Sequence, residues 1–351
     1  MSRIVFCTQK LDASHGFLAW STQVVDELAR RVDEVEVIAD AGTLVGRPAN
    51  VRLRTFGASS RPQRLVRFER AVAETIDGAD AFIAHQVPLY AVAAAPLARR
   101  RGVPILLWYA HWKKHLPLRL SERASTLILS ADRRSFPLPS EKVRAIGQAI
   151  DVAAFPPTQP HGEAGRLRAV AVGRYSPSKG LKTIVEAVAT ARAAGTNVTL
   201  ETRGTTGSGL ERRHKAELAD LVDRLALSQH VTLGDSIPRE MLPGLFARSD
   251  VLVNNMEAGS ADKAVYEACA ACLPVLASNP VHDDLAEGIE PPLLFRRDRP
   301  GELAKRLSAL AALGPEQRHA IGTTLRARVE EHHSVRSWVD GLMAAVVEAR
   351  A

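Results

Sequence analysis

AVAVGRYSPSKGLKTIVEAVA, residues 169–189, holds the pattern that decides how this chain folds. The apolar run 167–172 reads as a buried parallel strand. Gly173, Pro177 and Gly180 then punctuate a loop, and Leu181, Ile184, Val185 and Val188 recur at helical spacing. The loop puts two cations, Arg174 and Lys179, beside the amino end of that helix. Free backbone N–H groups and the helix dipole favour an anion there, and two fixed cations suit a diphosphate. On these residues alone two readings stand: a diphosphate cradle, or an ordinary strand-to-helix turn with solvated charges.

A second stretch, KAVYEACAACLPVLAS at 263–278, adds to the first. Together they resemble the nucleotide-sugar glycosyltransferases of family 4, retaining enzymes of the two-domain GT-B fold. The family's first signature, G-R-x-x-x-x-K-G, is matched at Gly173, Arg174, Lys179 and Gly180. Its second is a glutamate, seven residues, then E-A-M-A-C-G-x-P-V; Glu267, Ala268, Pro274 and Val275 match it within EACAACLPV. The first glutamate of that pair is absent. Its place falls at Gly259, and the nearest carboxylate, Glu257, lies two residues off. The string GSADKAVYEA resembles a branch with Gly-Ser-x-Asp-Lys in this loop. The likeness runs over nearly the whole chain and is specific within residues 170–278.

The resemblance implies an α/β fold of two Rossmann-like domains facing a cleft. Residues 1–150 would form the acceptor side, joined by a returning carboxyl-terminal helix at 335–351, and residues 151–334 the donor side. It implies transfer of a sugar from a UDP- or GDP-sugar to a hydroxyl acceptor with retention, and no cofactor or metal. No D-x-D triplet or paired-carboxylate metal site is evident, so Arg174 and Lys179 would neutralise the leaving diphosphate. Glu267 would accept hydrogen bonds from the ribose hydroxyls. Gly173, Gly204, Gly259, Ser260 and Val265 would line the donor, with Ile237 and Asp235 beside the base. Asp262 would bond sugar hydroxyls or cap the helix that follows; Lys263 would add a third phosphate cation or point to solvent. In the first half, His15 and Gly16 would approach the donor phosphates or the acceptor, unless His15 merely caps a turn. His111, ending the strand read at 104–111 on the carboxyl edge of the sheet, would touch sugar or acceptor, although Trp112 replaces the aspartate that follows in related enzymes.

Composition narrows the rest. A chain of 351 residues suffices for two domains. No run approaches the roughly 20 apolar residues of a membrane helix, and the opening MSRIVFCTQK lacks a signal peptide's apolar core, so a cytoplasmic protein is expected. Cys7, Cys269 and Cys272 lack a second Cys or His pair for zinc and read as packing residues. Residues 1–150 carry 22 Lys and Arg against 14 Asp and Glu; residues 151–351 carry 24 against 25. The entire cationic surplus lies in the first half. It suggests an anionic partner there, a membrane surface or an anionic or lipid-linked acceptor of the cell envelope; no nucleic-acid partner is expected. Arg61, Arg64, Arg67 and Arg70, interleaved with Leu65, Val66 and Phe68, read as a basic ridge beside an apolar one: a helix on a bilayer, or a solvated face. Trp338, Leu342 and Val346 form an apolar stripe fit to dock the last helix on the first domain. Rival functions are an epimerase or phosphorylase of the same fold, or a non-catalytic partner that binds nucleotide sugar or membrane. A nicotinamide dehydrogenase is disfavoured, since no G-x-G-x-x-G follows the first strand.

Overall fold

A computed structural model of the protein describes residues 2–12, 20–259 and 261–351. The chain divides into two compact units: Met1–Asp151 with His332–Ala351, and Val152–Glu331. Each is built on one parallel sheet, because short apolar strands alternate with amphipathic helices and every strand must be covered on both faces.

In the first unit, β1 (Arg3–Leu11), β2 (Glu34–Gly42), β3 (Val51–Thr55), β4 (Ala81–His85), β5 (Ile105–Trp108), β6 (Leu127–Ser130) and β7 (Val143–Ala145) lie in the order β3-β2-β1-β4-β5-β6-β7. All five residues of β4 and all four of β5 are buried, as two-sided cover requires. Right-handed crossovers put the helices Arg61–Thr75, Pro88–Arg101 and Leu116–Ala124 on one face, where Phe68, Val72, Ala94, Ala98 and Leu118 pack on the strands. The helices Trp20–Ala29 and Val335–Arg350 pack on each other. Trp338 is fully buried between Trp20, at 6.3 Å, and Trp108, at 5.2 Å, both edge-on; Leu342 and Val346 are buried with it.

The second unit carries β8 (Arg166–Val172), β9 (Asn197–Gly204), β10 (Val231–Asp235), β11 (Val251–Asn254) and β12 (Val275–Ala277) in the order β10-β9-β8-β11-β12. Both sheets therefore reverse direction beside their first strand, the arrangement that opens a ligand crevice at the carboxyl edge. The three residues of β12 sit inside CLPVLAS, where a sequence reading gives no separate strand.

Two expectations need correction. β5 ends at Trp108, so His111 is a loop residue rather than the tip of a strand. The arginine ridge of helix Arg61–Thr75 is dispersed: Arg64 pairs with Asp40 at 3.3 Å, Arg67 donates to the Gly57 carbonyl at 2.5 Å, and Arg70 pairs with Glu74 at 2.8 Å. Phe68 turns into the core, leaving Leu65 and Val66 outside. The three cysteines are buried.

Candidate functional site

The loop after β8 is held by backbone geometry before any side chain acts. Gly173 N–H donates to the Arg203 carbonyl at 2.9 Å and Tyr175 N–H to the Thr205 carbonyl at 3.1 Å, extending the ladder past the end of β8. The approach is close enough that a Cβ on Gly204 would lie 1.8 Å from the Gly173 carbonyl oxygen. Gly204 thus acts by having no side chain. Gly173 sits at φ +142°, and a Cβ there would fall 2.5 Å from Lys179 Cε, so the lysine stem runs across this glycine. Tyr175, which sequence reasoning passed over, pins the loop: its fully buried hydroxyl lies 2.7 Å from Thr202 Oγ1 and donates to the Gly234 carbonyl at 2.7 Å. A single turn, Pro177–Lys179, then ends at Gly180 (φ +57°), which starts the helix Leu181–Ala193. Asn255 Nδ2 donates to the Gly180 carbonyl at 3.1 Å and to Asp298 at 3.2 Å.

The two cations of the loop each face a carboxylate. Arg174, mostly exposed, approaches Glu211 at 3.5 Å; Glu211 also closes a capping box with Ser208. Lys179 is largely enclosed and ion-pairs with Asp262, whose same oxygen accepts from Asn254 Nδ2 at 2.8 Å. Burial, the largest single influence, pushes the Asp262 carboxyl up, but the Lys179 charge and hydrogen bonds from Lys179, Asn254 and the Ala264 amide together outweigh it; the net shift is downward. Asp262 stands at the N-cap of the helix Lys263–Ala270, as one reading had it, and also spends its charge on Lys179, which neither reading anticipated.

Helix Lys263–Ala270 carries Glu267 on its buried side. Its Oε1 accepts from Arg239 Nη2 at 2.7 Å and Nε at 3.2 Å. Burial raises the Glu267 carboxyl, opposed by Arg239 and by Lys263 one turn earlier. Burial likewise lowers the Lys263 ammonium, with Glu267 opposing and Arg239 reinforcing that shift. Lys263 thus belongs to the Glu267–Arg239 group rather than to open solvent. Arg239 also lies over the Phe155 ring at 5.6 Å. No local signal marks Arg239 in sequence, since its partner is 28 residues away.

Other expected residues fall out as follows. Val265 is fully buried, so its side chain packs the core and offers a ligand no surface. Gly259 (φ +84°) donates its N–H to Asn279 Oδ1 at 3.3 Å, and Asn279 Nδ2 donates to the Glu257 carbonyl at 2.8 Å. Glu257 itself pairs with Arg297 at 3.2 Å. Ile237 is half-buried beside Asp235, which Lys215 holds at 2.6 Å. In the first unit, His111 Nδ1 accepts from the Lys113 N–H at 3.1 Å and its ring stacks on Trp112. His15, Gly16 and Ser260 lie outside the described residues. Among the described residues no group of three or more His, Cys, Asp or Glu side chains is placed to hold a metal ion.

The second unit thus gathers Lys179, Asp262, Lys263, Glu267 and Arg239 along the carboxyl edge of a doubly wound sheet, behind a rigid glycine loop. Residues 166–312 match the model of the group 1 glycosyl transferases. The segment spans β8 to the helix Pro300–Ala312, and so contains all of these residues. The whole chain has the GT-B fold of solved glycosyltransferases. It superposes on Anabaena Alr3699/HepE in complex with UDP and glucose with TM-score 0.74 and 18% identity over 99% of this chain and 100% of that one. The corresponding values for sucrose-phosphate synthase from Thermosynechococcus elongatus are 0.76 and 15%, over 100% of both chains. For α,α-trehalose 6-phosphate synthase from Burkholderia multivorans they are 0.68 and 16%, over 99% of both. Identities this low establish the fold and leave the reaction to the site. No curated protein matches the chain by sequence.

Proposed function

We propose that the protein is a retaining glycosyltransferase that moves a sugar from a UDP- or GDP-sugar to a hydroxyl acceptor, with no metal or other cofactor. The observation that carries this reading is the junction of two distant segments: Lys179, from the loop after β8, is locked to Asp262 at the start of the helix that bears Glu267. A diphosphate entering beside Lys179 would have Arg174 on the same loop, and a ribose would meet Glu267. The match of residues 166–312 and the UDP held by the Anabaena protein support the same donor class.

In the proposed reaction, the bond between the sugar's anomeric carbon and the diphosphate oxygen breaks while the acceptor oxygen bonds the same carbon on the same face. The acceptor's proton passes to the leaving phosphate oxygen, so no enzyme base is consumed. Negative charge grows on that diphosphate, and Arg174 and Lys179 are the groups placed to oppose it. The cationic surplus of residues 1–150 supports an anionic or lipid-linked acceptor of the cell envelope, met in the cytoplasm at the inner face of the membrane. Gly259, standing where the family has a carboxylate, favours one rival: a subunit that binds nucleotide sugar without transferring it.

Calorimetric titration with UDP, GDP, ADP and TDP, without metal, tests the reading. One nucleotide should bind, and Arg174→Ala should abolish that binding. If none binds, the proposal fails. If one binds but no sugar is transferred from it to any acceptor offered, the non-catalytic rival stands instead.

A further inference from the structure

The first unit wears its apolar side chains at one edge. Among the described residues, eight of its nine large exposed hydrophobic residues follow the carboxyl ends of β2, β3, β4 and β5. Val66 (65% exposed), Leu65 (49%), Leu89 (55%), Trp112 (37%), Leu116 (66%) and Leu120 (41%) are the principal ones. The same segments, 43–50, 56–68, 86–92 and 109–121, contain seven Lys and Arg and no Asp or Glu. They therefore hold nearly all of the cationic surplus of residues 1–150.

Packing makes these segments neighbours. Arg64 ties the helix Arg61–Thr75 to Asp40 of β2. Phe68 stacks on Tyr90, linking that helix to the first turn of Pro88–Arg101, which in turn packs along Leu116–Ala124. Leu116 and Leu120 are one turn apart on the last helix, with Arg119 beside them and Lys113 and Lys114 just before; Lys113 Nζ lies 5.7 Å from the Trp112 ring. Solvated faces of ordinary domains mix both signs of charge and scatter their apolar residues. These segments are apolar and carry cations only, with Asp40 of β2 taken up by Arg64, which is the signature of a surface that inserts shallowly among anionic headgroups.

We infer that the carboxyl edge of the seven-stranded unit, from Leu65 and Val66 across Leu89 to Trp112, Leu116 and Leu120, is a docking surface for an anionic lipid bilayer. The apolar side chains enter the headgroup layer while Arg61, Lys113, Lys114 and Arg119 meet lipid phosphates. The inference replaces the single amphipathic helix read from sequence with a surface shared by three helix starts. It is independent of the donor chemistry, so nucleotide binding and vesicle binding can fail separately.

Flotation of the full chain with phosphatidylcholine vesicles, with and without about a third phosphatidylglycerol, provides the test. The protein should float with the anionic vesicles and stay behind with the neutral ones. Lys113→Gln with Lys114→Gln should lower partitioning by about thirtyfold, since each surface cation is worth roughly fivefold. Leu65→Ser with Val66→Ser, and Leu116→Ser with Leu120→Ser, should each lower it by at least about tenfold, while Val347→Ser, an exposed site elsewhere on the unit, should not. Trp20, Trp108 and Trp338 are buried, so quenching by brominated lipid should report Trp112 and vanish in Trp112→Phe. Absence of flotation at low salt overturns the proposal. Binding that needs the lysines but ignores the serine variants and leaves Trp112 unquenched also overturns it, and assigns the edge to a soluble polyanion. Self-association lost in the serine variants would assign it to a second copy.

Discussion

In the five-stranded unit, the cations at the carboxyl edge stand against carboxylates: Lys179 with Asp262, Arg239 and Lys263 with Glu267, Arg174 with Glu211. At the same edge of the seven-stranded unit the segments carry cations without acids, and only outlying elements supply partners, as Asp26 does for Arg47 and Asp40 for Arg64. Large apolar side chains stand exposed between them. Both sheets wind in the same order, so topology does not make this difference. What differs is depth. Enclosed charges cost several kcal/mol each unless paired, and Lys179, Asp262 and Glu267 are largely enclosed and paired. An open edge pays no such penalty and can leave its charge for a large partner.

The largest expected effect separates the two units. Trp338→Ala removes a fully buried side chain between Trp20 and Trp108 and should destabilise the first unit by about 3–5 kcal/mol. Scanning calorimetry with and without UDP should show that loss while nucleotide affinity persists; joint loss of both would mean the units do not behave as separate bodies. Next comes the loop after β8. Arg174→Ala or Lys179→Ala should lower turnover by roughly 10²–10³ with little change in melting temperature. Near wild-type transfer by the double variant would remove these residues from the chemistry.

Gly204→Ala acts through the backbone. Its methyl would press on the Gly173 carbonyl, costing about 1–3 kcal/mol and displacing the loop, so denaturant titration and UDP titration should both register it. The smallest effect concerns Arg239. Glu267 already has a raised pKa from burial, and loss of Arg239 raises it further. If Glu267 binds the ribose as a carboxylate, UDP affinity should fall as pH drops through that raised value, and in Arg239→Ala the fall should begin at higher pH. Affinities flat with pH in both proteins would break the assignment of Glu267.

The sequence made the βα rhythm legible because parallel strands are short apolar runs and their helices repeat at a different period. It failed at β12, too short to stand out between Pro274 and Ser278, and at β5, whose apolar run continues into Tyr109 and Ala110 after the ladder has ended. The glycine loop and Glu267 were visible through spacing. Tyr175, Arg239 and Asn279 were not, since each matters through a partner far along the chain. Asp262 was visible, but its work was not: only the fold brings Lys179 to it. The exposed apolar edge was half visible, as a charge asymmetry without a location.

The Tyr175 hydroxyl has a consequence for timing. A stretch rich in Gly, Ser and Pro would ordinarily sample many shapes, yet here amide bonds to the 203 and 205 carbonyls and one phenol fix it across three strands. The amides of Gly173 and Tyr175 should exchange with solvent as slowly as the strand beside them. Ordering of the loop then happens once, when the domain folds, and the proposed diphosphate would find its seat already set rather than wait for one to form.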